Sequence, residues 1–314
     1  MGLIMSIKIE KIEENAWIRE RIQQQFKNRN IKYIKLLNDI IYRCSLEIRA
    51  DGIVKYKNGD SKESISVNHM FYNYGSPAPW LCKLLPEGYG FNYFTPNDIY
   101  KKCHIEHGIH KKLLNLYDSG NFTRYTQPPL NEQITLPENY ILVSMQNTGE
   151  TVWYRKNFTI LANDIVRWSR ENKKHVVFKW HNGCIDHSHP TRWFKELDEH
   201  SDYSSIDYTT PLYHLIKKCD MMWTASSMSG IEALICNKPV SIFGETEYME
   251  MATISKTPDD AIKCKIPNDL EQWLTYYVRK YCINIYQKDA DILIKNRMKN
   301  YFERGMCLDE LILS

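Results

Sequence analysis

Residues Ser226 to Gly244 read SSMSGIEALICNKPVSIFG and join three kinds of pattern: a polar loop, a short apolar helix and a strand. Lys238 and Pro239 stop the helix ahead of the apolar run Val240–Phe243, because proline has no N–H to continue it. Small hydroxyl residues around Gly230 bring backbone N–H groups near an anion, and a helix starting near Ile231 adds the positive end of its dipole. The stretch therefore reads as a phosphate cradle made of Ser226, Ser227, Ser229 and Gly230. Glu232 falls in the first helical turn, where its carboxylate is placed to accept bonds from a ribose or a sugar. A loop, helix and strand of this kind also occurs in any α/β protein, and Glu232 equally suits a helix cap.

Working outward, the same alternation of strand and helix continues on both sides. Strands are expected at Tyr140–Ser144, His175–Lys179, Met221–Thr224 and Pro239–Phe243. Helices are expected near Thr159–Glu171, Pro190–Asp198, Tyr213–Lys218 and Ile231–Cys236. Such an order predicts a parallel sheet with helices on both faces. Before it, helical spacing marks residues 7–48, the Asn58-Gly59 turn marks a hairpin over Asp51–Asp60, and Tyr72–Pro96 forms an ordered loop rich in Gly, Pro and aromatic residues. Thr126–Glu138 concentrates proline and polar residues and reads as an interdomain linker. From Leu270 the pattern is helical again, with Trp273, Tyr276, Tyr277 and Ile283 as an apolar stripe.

A chain of 314 residues is longer than one typical domain, so two lobes with a cleft between them are expected. Hydrophobic content of 43% with 25% charged residues suits a globular protein, and no apolar run approaches the roughly 20 residues that span a bilayer. The first residues lack a signal-peptide pattern, which places the chain in the cytoplasm. Nine cysteines without a C-x-x-C pair read as reduced thiols. His175, His187, His189 and His200 match no zinc spacing, so a metal is not expected. A net charge of +3 does not by itself call for nucleic acid.

In an open α/β sheet, ligands bind beyond the carboxyl ends of the strands. Three polar segments occupy those places: Ser144 to Thr151, which includes Gln146 and Thr148; Lys179 to Asn182, which includes His181; and the Ser226–Glu232 cradle. These segments, and the Glu-Ala-Leu, Lys-Pro-Val and Phe-Gly elements of the opening stretch, resemble bacterial capsule-polysaccharide glycosyltransferases in the same order across about residues 139–255. Sialyltransferases, polysialyltransferases and teichoic-acid polymerases resemble it more loosely. Gln146, Lys179 and His181 match the family pattern, Glu150 stands at its acidic position, and Asn182 replaces its proline. His189-Pro190 is a second, more distant counterpart. The resemblance implies a GT-B-like fold of two Rossmann-like lobes with a cleft and C-terminal helices. Residues 1–130 would be the acceptor-side lobe, 131–269 the nucleotide-sugar lobe, and 270–314 helices packing back across both.

The resemblance further implies transfer of a sugar from a nucleotide-sugar donor to an acceptor hydroxyl, inverting and metal-independent. The nucleotide sugar is a co-substrate, with no further cofactor expected. Gln146, Thr148, Lys179, Ser226, Ser227, Ser229, Gly230 and Glu232 would bind the donor. His181 would stabilise charge on the leaving nucleotide. Ile105 to Lys112 resembles the acidic Gly motif of sialyltransferases and the His-Gly motif of teichoic-acid polymerases, which makes Glu106 or His107 the base for the acceptor hydroxyl. Tyr74, Trp80, His110 and Lys111 would face the acceptor, and peripheral membrane contact is compatible with this. A capsule-type or lipid-linked glycan is the acceptor the family implies. The Lys-, Asn-, Ile- and Tyr-rich composition also fits a bacteriophage enzyme that glycosylates hydroxymethylated DNA bases. In that case Arg19, Arg21, Lys27, Arg29, Lys32 and Lys35 would meet phosphates, and Tyr72, Tyr74 and Trp80 an extruded base. A non-catalytic nucleotide- or glycan-binding module is the third reading.

Overall fold

The computed structural model describes residues 81–82, 98–119, 135–146, 155–180, 202–284, 287–290, 292–293 and 296. The expected N-terminal helices, the 51–60 hairpin, the helix near 190–198 and most of the 72–96 and 126–138 segments lie outside the described residues.

A six-stranded parallel sheet organises the chain. Its strands are β2 (Tyr140–Ser144), β3 (His175–Lys179), β4 (Ser204–Asp207), β5 (Met221–Thr224), β6 (Val240–Ile242) and β7 (Thr253–Ile254), in the order β4-β3-β2-β5-β6-β7. Counted from β2, this is the doubly wound order 3-2-1-4-5-6, with its topological switch point between β2 and β5. Every residue of β2 is buried, as a strand covered on both faces requires. The α/β class expected from the sequence is thus observed, in Rossmann-like form.

The two faces have separate cores. On one face, Tyr140, Leu142, Val177, Met222, Val240 and Ile242 pack under α1 (Ile109–Asp118), α3 (Leu212–Lys218), α4 (Ser229–Ile235) and α6 (Leu270–Tyr276). On the other, Ile141, Val143, Val176, Phe178 and Trp223 pack under α2 (Arg155–Asn172) and α5 (Pro258–Ala261). Trp223 is fully buried there, with Trp168 tilted against it at 5.3 Å between ring centroids.

Local chemistry explains where the elements stop. Asn237 takes the left-handed conformation (φ 57°) just after α4. Its N–H reaches the Leu234 carbonyl at 2.9 Å, and the Lys238 N–H reaches that of Ala233 at 2.9 Å. This paired closure satisfies the last carbonyls of the helix, so Asn237 ends α4 before Pro239 is reached. Gly108 (φ 81°) opens α1 in a conformation that favours glycine.

The region after Leu270 departs from the expectation of a single helical stripe. α6 passes into a π-helix, Tyr277–Tyr281, and the chain then extends as β8 (Ile283–Asn284). Ile283 is therefore a strand residue. β8 pairs antiparallel with β1 (Leu81–Cys82), with Leu81 opposite Asn284. Among the described residues, Cys103, Cys219, Cys236, Cys264 and Cys282 are free thiols, and no helix is long and apolar enough to cross a membrane.

Candidate functional site

The carboxyl ends of the central strands carry a row of polar residues on the α4 face. Register pairs Asp207 with Lys179, Lys179 with Ser144, and Ser144 with Thr224. Paired residues on neighbouring strands point to the same face, about 4.8 Å apart. Ser229 Oγ lies 3.0 Å from Ser144 Oγ and 2.8 Å from Ser227 Oγ. Thr224 Oγ1 donates to the Ser144 carbonyl at 3.1 Å and accepts from the Ser227 N–H at 3.3 Å. Across the switch point, the Ser226 N–H donates to Gln146 Oε1 at 2.7 Å, and Gln146 Nε2 donates to Ser226 Oγ at 3.2 Å. Gln146, Ser226, Ser227 and Ser229, singled out from separate parts of the sequence, therefore form one connected group with Ser144 and Thr224.

In this state the amides of the cradle are used within the protein. Besides the bonds of Ser226 and Ser227, the Ser229 N–H lies 3.3 Å from Ser227 Oγ, and the Gly230 N–H donates to the Ser227 carbonyl at 3.1 Å. An anion entering here would meet hydroxyls and amides that exchange internal bonds for ligand bonds.

Lys179 is at the same edge but paired. Its Nζ donates to Asp207 Oδ1 at 2.9 Å, with side-chain exposures of only 9% and 11%. Asp207 also accepts from the Thr210 N–H at 2.9 Å and from Thr210 Oγ1 at 2.5 Å. Burial pulls the Lys179 ammonium below its ordinary pKa, against the raising effect of Asp207. The lysine read as an open phosphate ligand is half of a buried ion pair.

Two cradle residues have different tasks from those expected. Gly230 is packed beneath Tyr248, and a Cβ added at position 230 would run into the phenol ring. Glycine is thus needed for close approach of a side chain rather than of an anion. Glu232 turns away from the cradle into the interface between α4 and α1, where Tyr117 Oη donates to its Oε2 at 3.0 Å. Burial raises its carboxyl pKa to about 7, partly offset by the Tyr117 bond. A carboxylate so enclosed does not present itself to a ribose.

The 105–112 segment lies at the other end of α4. His110 Nε2 meets the Ile235 carbonyl at 2.8 Å in the last turn, whereas Tyr117 meets Glu232 in the first. α1 therefore runs antiparallel to α4, and about one helix length, roughly 10 Å, separates residues 106–111 from the cradle. His110 closes a helix carbonyl at the end of α4. Glu106 binds Arg279 Nε at 2.7 Å and Nη2 at 3.1 Å, and Lys112 Nζ at 2.7 Å. The bond from Arg279, then that from Lys112, holds its carboxyl down to about 2. A carboxylate that binds protons so weakly is a poor general base, which, of the two bases named from the sequence, disfavours Glu106. His107 and Lys111 are exposed beside it. His181, Thr148, Tyr74 and Trp80 lie outside the described residues, as do Glu150, Asn182, His189, Pro190, Tyr72 and the basic residues Arg19 to Lys35.

Residues 167–281 match the family described as Capsule polysaccharide biosynthesis protein. The resemblance read over about residues 139–255 is therefore matched from 167 to 255, and the matched stretch, which runs from within α2 to the end of the π-helix, contains Lys179 and the cradle. No curated protein matches the chain. Among solved structures it is similar to the Thermosulfurimonas dismutans KpsC beta Kdo 2,7 transferase, at 19% identity and TM-score 0.43, over 67% of this chain and 66% of that one. The KpsC beta Kdo 2,4 transferase matches at 14% identity and TM-score 0.35, over 59% and 57% of the two chains. Methanocaldococcus jannaschii UDP-GlcNAc 2-epimerase, solved with UDP-GlcNAc and UDP, matches at 15% identity and TM-score 0.35, over 58% and 50%. The chain thus spans less than two thirds of the length of each of these proteins. Among the described residues, no group of three His, Cys, Asp or Glu side chains is arranged to hold a metal ion.

Sequence reasoning placed Ser144 at the head of a polar strand-end segment but missed Thr224, Asp207 and Tyr248. Thr224 was visible as a strand-end hydroxyl residue. Asp207 had no such signal, because β4 carries a single large apolar residue, Ile206.

Proposed function

We propose that this chain is a glycosyltransferase that takes its sugar from a nucleotide-sugar donor and passes it to the hydroxyl of a capsule-type or lipid-linked glycan. One observation carries the reading: Gln146 at the end of β2 and Ser226 at the end of β5 are joined across the switch point of a doubly wound sheet, beside the hydroxyls of Ser144, Ser227 and Ser229. A doubly wound sheet offers a nucleotide that crevice. The family match over the β3-to-π-helix stretch supports capsule-type chemistry.

The leaving nucleotide diphosphate or monophosphate would be held by the hydroxyls and amides of 226–229, which rotate out of their internal bonds to donate to it. Gln146 would hydrogen-bond the base or ribose. The Lys179–Asp207 pair would shape the floor of the site rather than neutralise the phosphate. Transfer would invert the anomeric centre without a metal, with a base other than Glu106 for the acceptor hydroxyl. No observation among the described residues favours a DNA acceptor or a non-catalytic module. A thermal-shift screen against UDP, CMP, CDP, GDP and their sugar conjugates tests the reading, because a ligand that binds only the folded state raises Tm. One nucleotide is expected to produce a clear shift. No shift with any of them at millimolar concentration contradicts the donor site.

A further inference from the structure

Glu247 and Tyr248 follow β6 as neighbours and engage two different parts of the molecule. Tyr248 is fully buried, donates its hydroxyl to the Ser227 carbonyl and covers Gly230 with its ring. Glu247 accepts from Tyr277 Oη at 2.5 Å and from Tyr281 Oη at 3.4 Å. Those phenols belong to the π-helix, and they extend a stack in which Trp273 and Tyr277 are 4.9 Å apart and Tyr277 and Tyr281 5.3 Å apart. The π-helix runs through Cys282 straight into β8, which pairs with β1. A contiguous path of stacked rings and charge-assisted hydrogen bonds therefore leads from the 226–230 loop to the C-terminal segment and its early-chain partner. Single-turn π segments of this kind recur where a helix must aim side chains at a functional feature.

We propose that the Glu247-Tyr248 pair is the joint through which the C-terminal segment positions the 226–230 loop, with Tyr248 and Glu247 as positioning residues that touch no substrate. The nature of the ligand the loop would receive rests on the donor reading above, whereas the mechanical coupling does not. Tyr248 fixes the Ser227 carbonyl and Gly230 directly, and Glu247 fixes the backbone that carries Tyr248. Loosening the π-helix phenols should then loosen the loop through Glu247 and Tyr248.

Amide hydrogen exchange of residues 226–231 in the full-length protein tests this, in wild type and in Tyr277→Phe, Glu247→Gln and Tyr248→Phe. Each keeps the shape of its side chain, so the ring stack and the fold are retained. Tyr140→Phe is the control, since it removes a buried hydroxyl bond to the Leu215 carbonyl at 2.7 Å off the path. The expected result is a threefold or greater acceleration of exchange at 226–231 in all three path variants and none in the control. Unchanged exchange in Tyr277→Phe and Glu247→Gln, or equal acceleration in Tyr140→Phe, overturns the coupling. Titration of the same variants with UDP and CMP gives the functional readout, a several-fold weaker Kd in Tyr277→Phe. Failure of the wild type to bind any nucleotide would sink the donor reading, and the exchange comparison would still decide the coupling.

Discussion

Replacing Glu232 by glutamine separates a structural carboxyl from a ligand-binding one. Burial between α1 and α4 raises its pKa from the ordinary 4.5 to about 7. In the unfolded chain the carboxyl loses its proton near its ordinary value, while the folded protein keeps it up to about neutral pH. Between these limits the folded state binds more protons, so stability falls as pH rises, and above about 7 the penalty is constant. At about 1.4 kcal/mol per pH unit, the full interval is worth roughly 3 kcal/mol. Glutamine keeps the oxygen that accepts from Tyr117 and removes the charge. Glu232→Gln is therefore expected to match wild type near pH 4.5 and to exceed it by about 2–3 kcal/mol at pH 8, a Tm gain of several degrees. Thermal unfolding of both proteins from pH 5 to 8 measures the difference, and nucleotide affinity is expected to stay within about twofold. A Tm difference that does not grow with pH would refute the buried-acid account. Loss of nucleotide binding would return Glu232 to the donor site.

Three further outcomes follow from the same contacts. Glu106→Gln removes an ion pair that is largely open to solvent, so its cost in urea unfolding is expected below about 1 kcal/mol. Turnover should fall less than about threefold, whereas a loss of a hundredfold or more would restore Glu106 as the base. Gly230→Ala forces a methyl group into the Tyr248 ring and should cost about 1–3 kcal/mol, and the double variant with Tyr248→Ala should be destabilised by less than the sum of the two single changes. Asp207→Asn leaves the Lys179 ammonium buried without its counter-charge and is expected to cost about 3 kcal/mol at pH 7, while Lys179→Met combined with Asp207→Leu should recover most of it.

The parts of the fold legible in the sequence were those with local causes. β2, β3, β5 and β6 are apolar runs bounded by breakers, and α4 lies between a polar loop and Asn237-Lys238-Pro239. β4 was not legible, because Ser204–Asp207 gains its strand character from distant backbone partners such as the Val176 N–H on the Tyr203 carbonyl at 2.8 Å. The site divided in the same way. Gln146 and the serines were found because strand-end polar residues gather at a switch point in any sheet of this order. Glu232 was placed in the right turn but on the wrong side, since only the packing of α1 decides which way that turn faces. Glu106 showed a motif, yet its chemistry is set by Arg279, far along the chain and unmarked by any spacing. Tyr248 gave no signal, because its importance lies in the missing Cβ of Gly230.

Photo-crosslinking locates the donor crevice. An azido analogue of the nucleotide that raises Tm, activated on the full-length protein and mapped by mass spectrometry, should label peptides containing 140–146 and 221–229. An excess of the unmodified nucleotide should suppress that labelling. Suppressible labelling concentrated on residues 104–112 instead would rule out a donor crevice at the switch point.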